Sequence, residues 1–404
     1  MRVVEVGRDG IDVVRNVLAS SVLIKESSMP ELSDLPPSIV HTLVPVYYPG
    51  PDPNWERQRP EDVGMDPYLL QEAIAFANDP AHAGMPADID AHLATIYHGK
   101  RYDDGVILGP IKAHGPVTGV VLRHGYLVAE WGEPERVDMT FSVTKSFLST
   151  VAGLAWDRGL IRDVHDRVKD YSDDGGFDSP HNAQITWDHF LRQTNEWEGS
   201  LWDKHYAARH TDDEPRRPLR PGTSYEYNDV RVNRFSLSLL QVWRRPLPEV
   251  LKELLMDPIN ASNTWQWYGY RNSWVTIDGI RMPSVSGGGY WGGGMWITAR
   301  DLARLGYLTL RRGRWQDRQI LSERWIEMAT TPTTVQPSYG YMNYFLNTQR
   351  QLFPSAPATH YYHAGMGANR VWVAPELDMV VVLRWVAPEY FDGFVKRVLG
   401  AIKP

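Results

Sequence analysis

A serine and a lysine stand three positions apart in a segment whose pattern predicts the start of a helix. The segment runs from Phe141 through Ser142 and Lys145 into an apolar stretch that ends near Gly159. Because residues i and i+3 share a helix face, we expect the Ser142 hydroxyl beside the Lys145 amine. A lysine whose neutral form is favoured can accept the serine proton, and the serine then becomes a nucleophile. The pair predicts acyl transfer through Ser142, with N–H groups at the helix start stabilising an oxyanion.

The same two residues also have a purely structural interpretation. Serine is a common helix cap, and a lysine one turn later is commonly a solvated surface residue. The pattern S-x-x-K is short and arises by chance in many chains of this length. The pair alone therefore does not establish an active site.

Two later segments contain residues suited to the same chemistry. A turn at Pro221-Gly222 precedes Tyr225 and Tyr227, and a phenol near Lys145 could move a proton between nucleophile and leaving group. The sequence HAGMG at 363–367 contains glycines that let backbone N–H groups approach a ligand closely and supply a second oxyanion donor. Together with the serine and lysine, these segments strengthen the catalytic interpretation.

The elements that must position these residues include strands at both ends of the chain. β-Hairpins are predicted over 117–131, around the turn His124-Gly125, and over 370–385, around Pro375-Glu376. The apolar block Met379–Leu383 is typical of a buried strand. We therefore expect one sheet built from both ends of the chain.

Helices are predicted to flank this sheet. One begins at Pro67 with Asp66 as its cap, and another covers about 390–402. The predicted fold class is α/β, with a mainly antiparallel sheet flanked by helices and an inserted helical domain. The predicted domains are an N-terminal extension over 1–59, a discontinuous α/β domain over 60–155 and 285–404, and a mainly helical inserted domain over 156–284.

Composition excludes several other functions. The 404 residues include 42 Lys+Arg and 49 Asp+Glu, a net charge of −7, which argues against nucleic-acid and membrane-surface partners. The absence of cysteine excludes disulfides, thiol catalysis and thiolate metal sites and fits a reducing compartment. Charged residues interrupt residues 1–20, so we expect no secretory leader and a cytoplasmic location.

No metal or cofactor is expected. His205 and His210 lie near three aspartates, but their spacing fits no standard metal motif. The glycines at 287–294 lack both a G-x-G-x-x-G context and a following Lys-Ser/Thr. This segment is interpreted as a tight loop near the site rather than a phosphate-binding loop.

Three ordered motifs resemble those of the serine β-lactamase and penicillin-binding-protein superfamily. S-x-x-K is matched by Ser142–Lys145, P-G-x4-Y-[SA]-N by residues 221–229, and K/H-[TSA]-G by His363-Ala364-Gly365. Two linking blocks, at 185–198 and 292–305, also resemble the family. The similarity covers roughly residues 60–400. It is strongest to the class C-like branch of esterases, D-aminopeptidases and 6-aminohexanoate-dimer hydrolase relatives.

The resemblance implies a β-lactamase/transpeptidase-like fold, with a cleft between the two domains, and a serine hydrolase that cleaves a small ester or amide through an acyl-enzyme. Ser142 would attack the carbonyl, and Lys145 and Tyr227 would form the proton-transfer pair, in either order. The N–H groups of Ser142 and Met366 would hold the oxyanion. Four further residues are expected beside the substrate: His363, Gly365, Asp229 and Trp197.

The chain departs from the family pattern at two of these positions. Asp229 stands where the family commonly has asparagine, and His363 where β-lactamases usually have lysine. A negative charge and a neutral imidazole both disfavour a substrate carboxylate, which predicts short-chain esters or neutral or cationic amides, with β-lactams as poor substrates. In an alternative placement, Asp229 faces Arg231 or another cation and never meets substrate. The functional alternatives are β-lactamase or D-amino-acid peptidase activity, or a non-catalytic binding relative.

Overall fold

Strands from the two ends of the chain form one six-stranded antiparallel sheet at the centre of the fold. The computed structural model describes residues 46–51, 54–208 and 217–403. Since Thr118 lies opposite Arg384, the prediction that both ends build one sheet is confirmed, as are both hairpins. In spatial order the strands are β11 (Phe345–Leu346), β12 (Tyr361–Gly365), β13 (Asn369–Ala374), β14 (Met379–Arg384), β1 (Thr118–Arg123) and β2 (Tyr126–Trp131).

Three smaller sheets complete the strand content of the described residues. A four-stranded sheet has the order β3 (Asp138–Met139), β8 (Gly294–Ile297), β6 (Gln266–Ile277) and β7 (Ile280–Val285). The two-stranded sheets are β4 (Ser200–Leu201) with β5 (Lys204–His205), and β9 (Arg314–Trp315) with β10 (Arg318–Gln319). The pairing of β3 with β8 matters for function because β3 leads directly into the segment that contains Ser142.

The α-helices flank the sheets, which confirms the α/β fold class. Asp66 caps the first helix by accepting hydrogen bonds from the N–H groups of Tyr68 and Leu69, as the sequence predicted. Within the described part of the chain, no helix is both long and apolar enough to cross a bilayer. The helices are α1 (Pro67–Ala77), α2 (Ile89–Tyr97), α3 (Thr144–Asp157), α4 (Trp187–Leu191), α5 (Asp229–Trp243), α6 (Leu247–Leu251), α7 (Ala299–Leu310), α8 (Glu323–Ala329) and α9 (Phe391–Gly400).

The middle strands of the central sheet, β1 and β14, are buried on both faces. Along β14, Met379, Val381 and Leu383 belong to the core that α1 and α9 complete. Val380 points to the other face, where Gly306 of α7 packs so closely that a Cβ would lie 2.7 Å from the Val380 side chain. Because successive side chains of a strand alternate between faces, a strand covered on both faces must be apolar throughout. This explains the uninterrupted run of buried residues in β14.

The helix α3 is deeply buried in the fold. Every residue from Thr144 to Ala155 is buried, and the chain turns beyond the helix at Gly159, which has φ +71°. The regular α-helix begins two residues later than predicted, because Phe141–Val143 form a 3-10 turn that leads into it. Ser142 therefore lies in this turn and Lys145 in the first turn of α3.

The compact unit begins at Tyr48. Trp55, only 5% exposed, donates from Nε1 to the carbonyl oxygen of Gly125 at 2.9 Å, so the part of the predicted extension near this residue belongs to the folded unit. Residues 1–45 of that extension lie outside the described residues. The range predicted as a mainly helical insertion, 156–284, contains α4, α5 and α6 but also β6 and most of β7. The predicted division into two domains stays a prediction.

Candidate active site

The turn before α3 holds Ser142 at the mouth of a cleft. The segment is fixed to β8 on both sides of the serine: the N–H of Thr140 donates to Met295 O, and the N–H of Met295 donates to Thr144 Oγ1, both at 2.9 Å. Between them, Phe141 has a φ of +48°. A bulky residue adopts this left-handed conformation only at a cost of about 1–3 kcal/mol, which the surrounding structure must offset. The fixed turn presents the Ser142 side chain to the cleft.

Lys145 connects the serine to a carboxylate. Its side chain is fully buried, and Nζ donates to Ser142 Oγ at 2.8 Å and to Asp229 Oδ1 at 2.7 Å. The spacing of Ser142 and Lys145 thus brings hydroxyl and amine together, as predicted from the helix period. The carboxylate favours the charged form of the amine. Serine, lysine and aspartate therefore form a continuous hydrogen-bonded chain.

Asp229 reaches this chain from the first turn of α5. The side chain of Asn228 caps that helix by accepting from the N–H groups of Val230 and Arg231, which fixes the backbone on which Asp229 stands. A glycine makes room for the ion pair: a Cβ at Gly288 would lie 2.0 Å from Asp229 Oδ1 and 2.4 Å from Lys145 Nζ. The glycine-rich segment is therefore a tight loop against the site, as the sequence indicated.

Tyr227 lies beside the same amine. The Lys145 ammonium is 4.5 Å from the centroid of its ring, a cation–π distance. Tyr339 and Phe345 pack against the ring with centroids 6.4 Å away, so aromatic contacts restrict its orientation. Tyr227 and Ser142 both line the cleft. The structure thus brings together the serine, the lysine and the tyrosine that the sequence suggested for proton transfer.

The end of β12 forms the wall opposite α3. A Cβ at Gly365 would lie 2.1 Å from Thr140 O and 3.2 Å from Ser142 N, so only glycine allows this close approach. Gly365 and Met366 line the cleft next to Ser142. The backbone of β12 is thus adjacent to the N–H of the serine.

The cleft has a volume of about 400 Å³, in the range of small-molecule sites. Sequence reasoning missed part of its lining. Arg370 on β13 and His92 on α2 contribute polar side chains, and Tyr290 and Phe345 contribute aromatic ones. For Arg370 a signal was present, because it follows the third motif closely on a predicted strand. For His92, 50 positions before the serine, the sequence offered none.

A family model supplies the next observation. The model of the Beta-lactamase family matches residues 120–385, which is more than half of the chain and includes all three motifs. The chain belongs to the Beta-lactamase family. At the level of the family it is therefore a β-lactamase-like serine hydrolase, in agreement with the resemblance found in the motifs.

Solved structures of β-lactamase-like proteins share the fold. A β-lactamase from Mycobacterium bovis is 17% identical, with a TM-score of 0.51 over 73% of this chain and 97% of that one. A penicillin-binding-protein homologue from Pyrococcus abyssi is 16% identical, with a TM-score of 0.52 over 71% and 74%. A family VIII carboxylesterase is 15% identical, with a TM-score of 0.52 over 79% and 98%. No curated protein matches this chain significantly.

One β-lactamase-like motif residue does not take the predicted position. His363, expected beside the substrate, is fully buried, and its Nδ1 lies 3.0 Å from Ser146 Oγ behind the cleft. Burial lowers the pKa of His363 to about 4, so its ring is neutral at pH 7. Asn343 donates to both Ser146 Oγ and Ala364 O and fixes β12 to α3. The histidine supports the strand, while Ala364 and Gly365 border the cleft.

Trp197 also lies apart from the residues that line the cleft. Its indole is 3% exposed and donates to Gly176 O at 2.8 Å, and its carbonyl accepts from Arg231 Nε. The expectation that it borders the substrate is corrected to a packing role around α5. Of the histidines weighed as metal ligands, His205 stacks on Tyr102 with a centroid distance of 5.6 Å, and His210 lies outside the described residues.

Proposed function

We propose that this protein cleaves a carboxylic ester or amide through an acyl-enzyme on Ser142. The observation that carries the proposal is the contact of Lys145 Nζ with Ser142 Oγ at 2.8 Å, at the edge of a cleft of about 400 Å³. A serine is a weak nucleophile unless a neighbouring group accepts its proton and stabilises the resulting charge. The buried amine and the adjacent phenol of Tyr227 supply these functions.

In the first step, Ser142 Oγ bonds to the carbonyl carbon and its proton passes to the Lys145/Tyr227 pair. The pair accepts this proton while it holds one proton fewer than ammonium plus phenol, either as amine with phenol or as ammonium with phenolate. The pair then gives the proton to the departing alcohol or amine as its bond to the carbonyl breaks. Groups coupled this closely titrate together, so the two residues are treated as one proton-transfer unit.

The N–H groups of Ser142 and Met366 are proposed to hold the oxyanion. The close approach of Gly365 to Ser142 N supports this assignment, because it brings the chain around Met366 next to the serine. Such donors are effective because they are already oriented towards the charge that develops. In the second step, water attacks the acyl group, its proton returns through the same pair, and Ser142 is released.

Asp229 is assigned to the catalytic group rather than to the substrate. The sequence allows two roles for Asp229, which either repels substrate carboxylates or is neutralised by a cation. Its Oδ1 lies 2.7 Å from Lys145 Nζ, which supports the second alternative, with Lys145 as the cation instead of Arg231. The predicted repulsion of anionic substrates therefore loses its physical basis.

The test of this proposal is covalent labelling. Intact-mass spectrometry with a fluorophosphonate should show one adduct, located in the peptide that contains Ser142, because only an activated serine reacts. Ser142→Ala should show none, whereas Ser149→Ala, which removes another buried hydroxyl of α3, should be labelled like the wild type.

Turnover separates the functional alternatives. Hydrolysis of 4-nitrophenyl acetate with a higher kcat/KM than that for nitrocefin supports the esterase assignment. The reverse order would assign the β-lactamase alternative. Labelling that persists in Ser142→Ala would contradict the choice of nucleophile, and a wild-type protein that is not labelled at all would favour the non-catalytic binding relative.

A further inference from the structure

Arg370 places a cation in the cleft that the proposed reaction does not use. It stands on β13, lines the cleft together with Ser142 and Tyr227, and is close enough to Tyr227 for the two side chains to interact electrostatically. No ion pair joins its guanidinium to a carboxylate of the described residues. Nη1 donates to the carbonyl oxygens of Gly365 and Asn369, at 3.3 and 3.2 Å.

Several buried arginines of the described chain have more complete partners than Arg370. Arg231 pairs with Glu196 and Glu226, and Arg234 pairs with Asp174. Arg384 donates from all three of its nitrogens, to two carbonyl oxygens and to the Asn369 side chain. The Nε of Arg370 is buried without a hydrogen-bond partner, as is that of Arg234, but Arg234 has a carboxylate partner and Arg370 has none in the part of the chain that the structure describes. Five N–H donors on a guanidinium are thus served by two weak contacts to carbonyl groups.

Aromatic rings hold the Arg370 side chain in this position. Its guanidinium carbon lies 4.9 Å from the centroid of the Tyr362 ring and 5.8 Å from that of Phe391. These cation–π contacts restrict the position of the guanidinium, and a restricted group loses less conformational entropy when a carboxylate binds through two parallel hydrogen bonds. Burial lowers the pKa of Arg370, a penalty on the charged form that a bound anion would offset.

The charges around the cleft add up in the same direction. Lys145 and Asp229 neutralise each other through their 2.7 Å contact. His92 is the remaining titratable imidazole of the lining, and burial lowers its pKa, which favours its neutral form at pH 7. The guanidinium therefore leaves the described lining with a net positive charge.

We infer that Arg370 binds a carboxylate of the substrate, so that the preferred ester or amide is anionic. The inference rests on the proposed hydrolysis at Ser142 and specifies its substrate class. It reverses the sequence-based expectation of neutral or cationic substrates, which depended on an exposed charge at Asp229. The third motif does not supply this cation, because the side chain of His363 is buried behind the cleft.

The experiment uses pairs of esters that differ in one charge. Mono-4-nitrophenyl adipate is compared with 4-nitrophenyl hexanoate, which varies the acyl side, and 4-acetoxybenzoate with 4-acetoxybenzamide, which varies the leaving group. In at least one pair, the wild type should show a kcat/KM about 10–100-fold higher for the anion, the range expected for charge-assisted hydrogen bonds. Arg370→Gln should lower this ratio to about 1. Arg370→Lys, which keeps the charge without the planar fork, should give an intermediate ratio.

A matched control removes a distant positive charge. Arg318→Gln changes an exposed arginine of β10 and should keep the wild-type ratio. A wild-type protein that hydrolyses the neutral member of both pairs at least as well as the anion would overturn the inference. An unchanged ratio in Arg370→Gln would overturn it as well.

A binding measurement separates this inference from the proposed function. Calorimetric titration of Ser142→Ala with adipate and with benzoate needs no turnover. If either anion binds Ser142→Ala and this binding is lost in Ser142→Ala/Arg370→Gln, the carboxylate site is supported. If the wild type then hydrolyses no ester, only the proposed function fails. Equal affinities of the two proteins for both anions, or no binding to either protein, would refute the site even if the esters are hydrolysed.

Discussion

Breaking the ion pair between Lys145 and Asp229 should reveal how strongly the fold depends on this buried pair. The side chains are 0% and 2% exposed, and the charged atoms are 2.7 Å apart. At an effective dielectric constant of about 20, the Coulomb attraction at this distance is about 6 kcal/mol. Desolvation of the two ions offsets much of this attraction when the pair forms. When one partner is removed, the attraction is lost, and the desolvation cost of the remaining charge is no longer offset.

Each single substitution should therefore be costly. Asp229→Asn leaves a buried ammonium without its carboxylate, and Lys145→Met leaves a buried carboxylate without its ammonium. We expect the free energy of unfolding to fall by about 3–5 kcal/mol in each variant. The double variant removes both charges at once and should lose much less than the sum, which gives a coupling free energy of about 3 kcal/mol or more.

Urea denaturation followed by tryptophan fluorescence measures the four free energies of this cycle. The surface pair of Arg244 and Asp278, whose side chains are 57% and 53% exposed, is the matched control. The cycle of Arg244→Met and Asp278→Asn should give no more than about 1 kcal/mol. Losses at Lys145 and Asp229 that add to within about 0.5 kcal/mol would refute the reasoning, because independent sites behave in that way.

Two further predictions concern the supports of the site. Gly288→Ala places a methyl group 2.0 Å from Asp229 Oδ1 and should lower kcat/KM about 100-fold by displacing the Lys145–Asp229 pair. The control Gly400→Ala, with no atom within 4 Å of its Cβ, should have no effect. Equal activities of the two variants would contradict the packing argument. Because the pKa of His363 is about 4 in the folded protein against 6.5 ordinarily, the unfolded chain binds the extra proton, and stability should fall by about 3 kcal/mol as the pH decreases from about 6.5 to about 4. His363→Asn should lack this pH dependence of the free energy of unfolding, which urea denaturation at pH 7 and pH 4.5 measures. A difference in stability between wild type and variant that is the same at both pH values would disprove the prediction.

Local patterns predicted the parts of the site whose residues are close in sequence. Ser142 in the 3-10 turn and Lys145 in α3 are three positions apart, and this helical spacing brings their side chains together. The hairpin of β13 and β14 was likewise visible in its strand-forming residues and in the turn residues Pro375-Glu376. Such features depend on neighbours in sequence, and sequence patterns report these neighbours directly.

Contacts between distant segments were beyond the same reasoning. The contact between Lys145 and Asp229 joins residues 84 positions apart, and the sequence analysis could only state two alternatives for Asp229. Trp197 was expected in the pocket because the family block that it matches lies near the pocket, and the sequence does not distinguish a tryptophan in a core from one in a cleft. His363 occupies a motif position, yet its burial follows from how α3 and β12 pack, which no local pattern contains.

The pairing of β1 with β14 has a consequence for biosynthesis. When the ribosome has made the β1–β2 hairpin, the outer edge of β1 still lacks the partner that it finds at Met379–Arg384. An unpaired strand edge is a template for aggregation, and pairing over so long a stretch of chain is intrinsically slow. Emerging chains thus carry an open apolar edge through most of translation. A chain that stops before Met379 contains Ser142 but lacks β14, the strand that joins β1 to β13 in the central sheet.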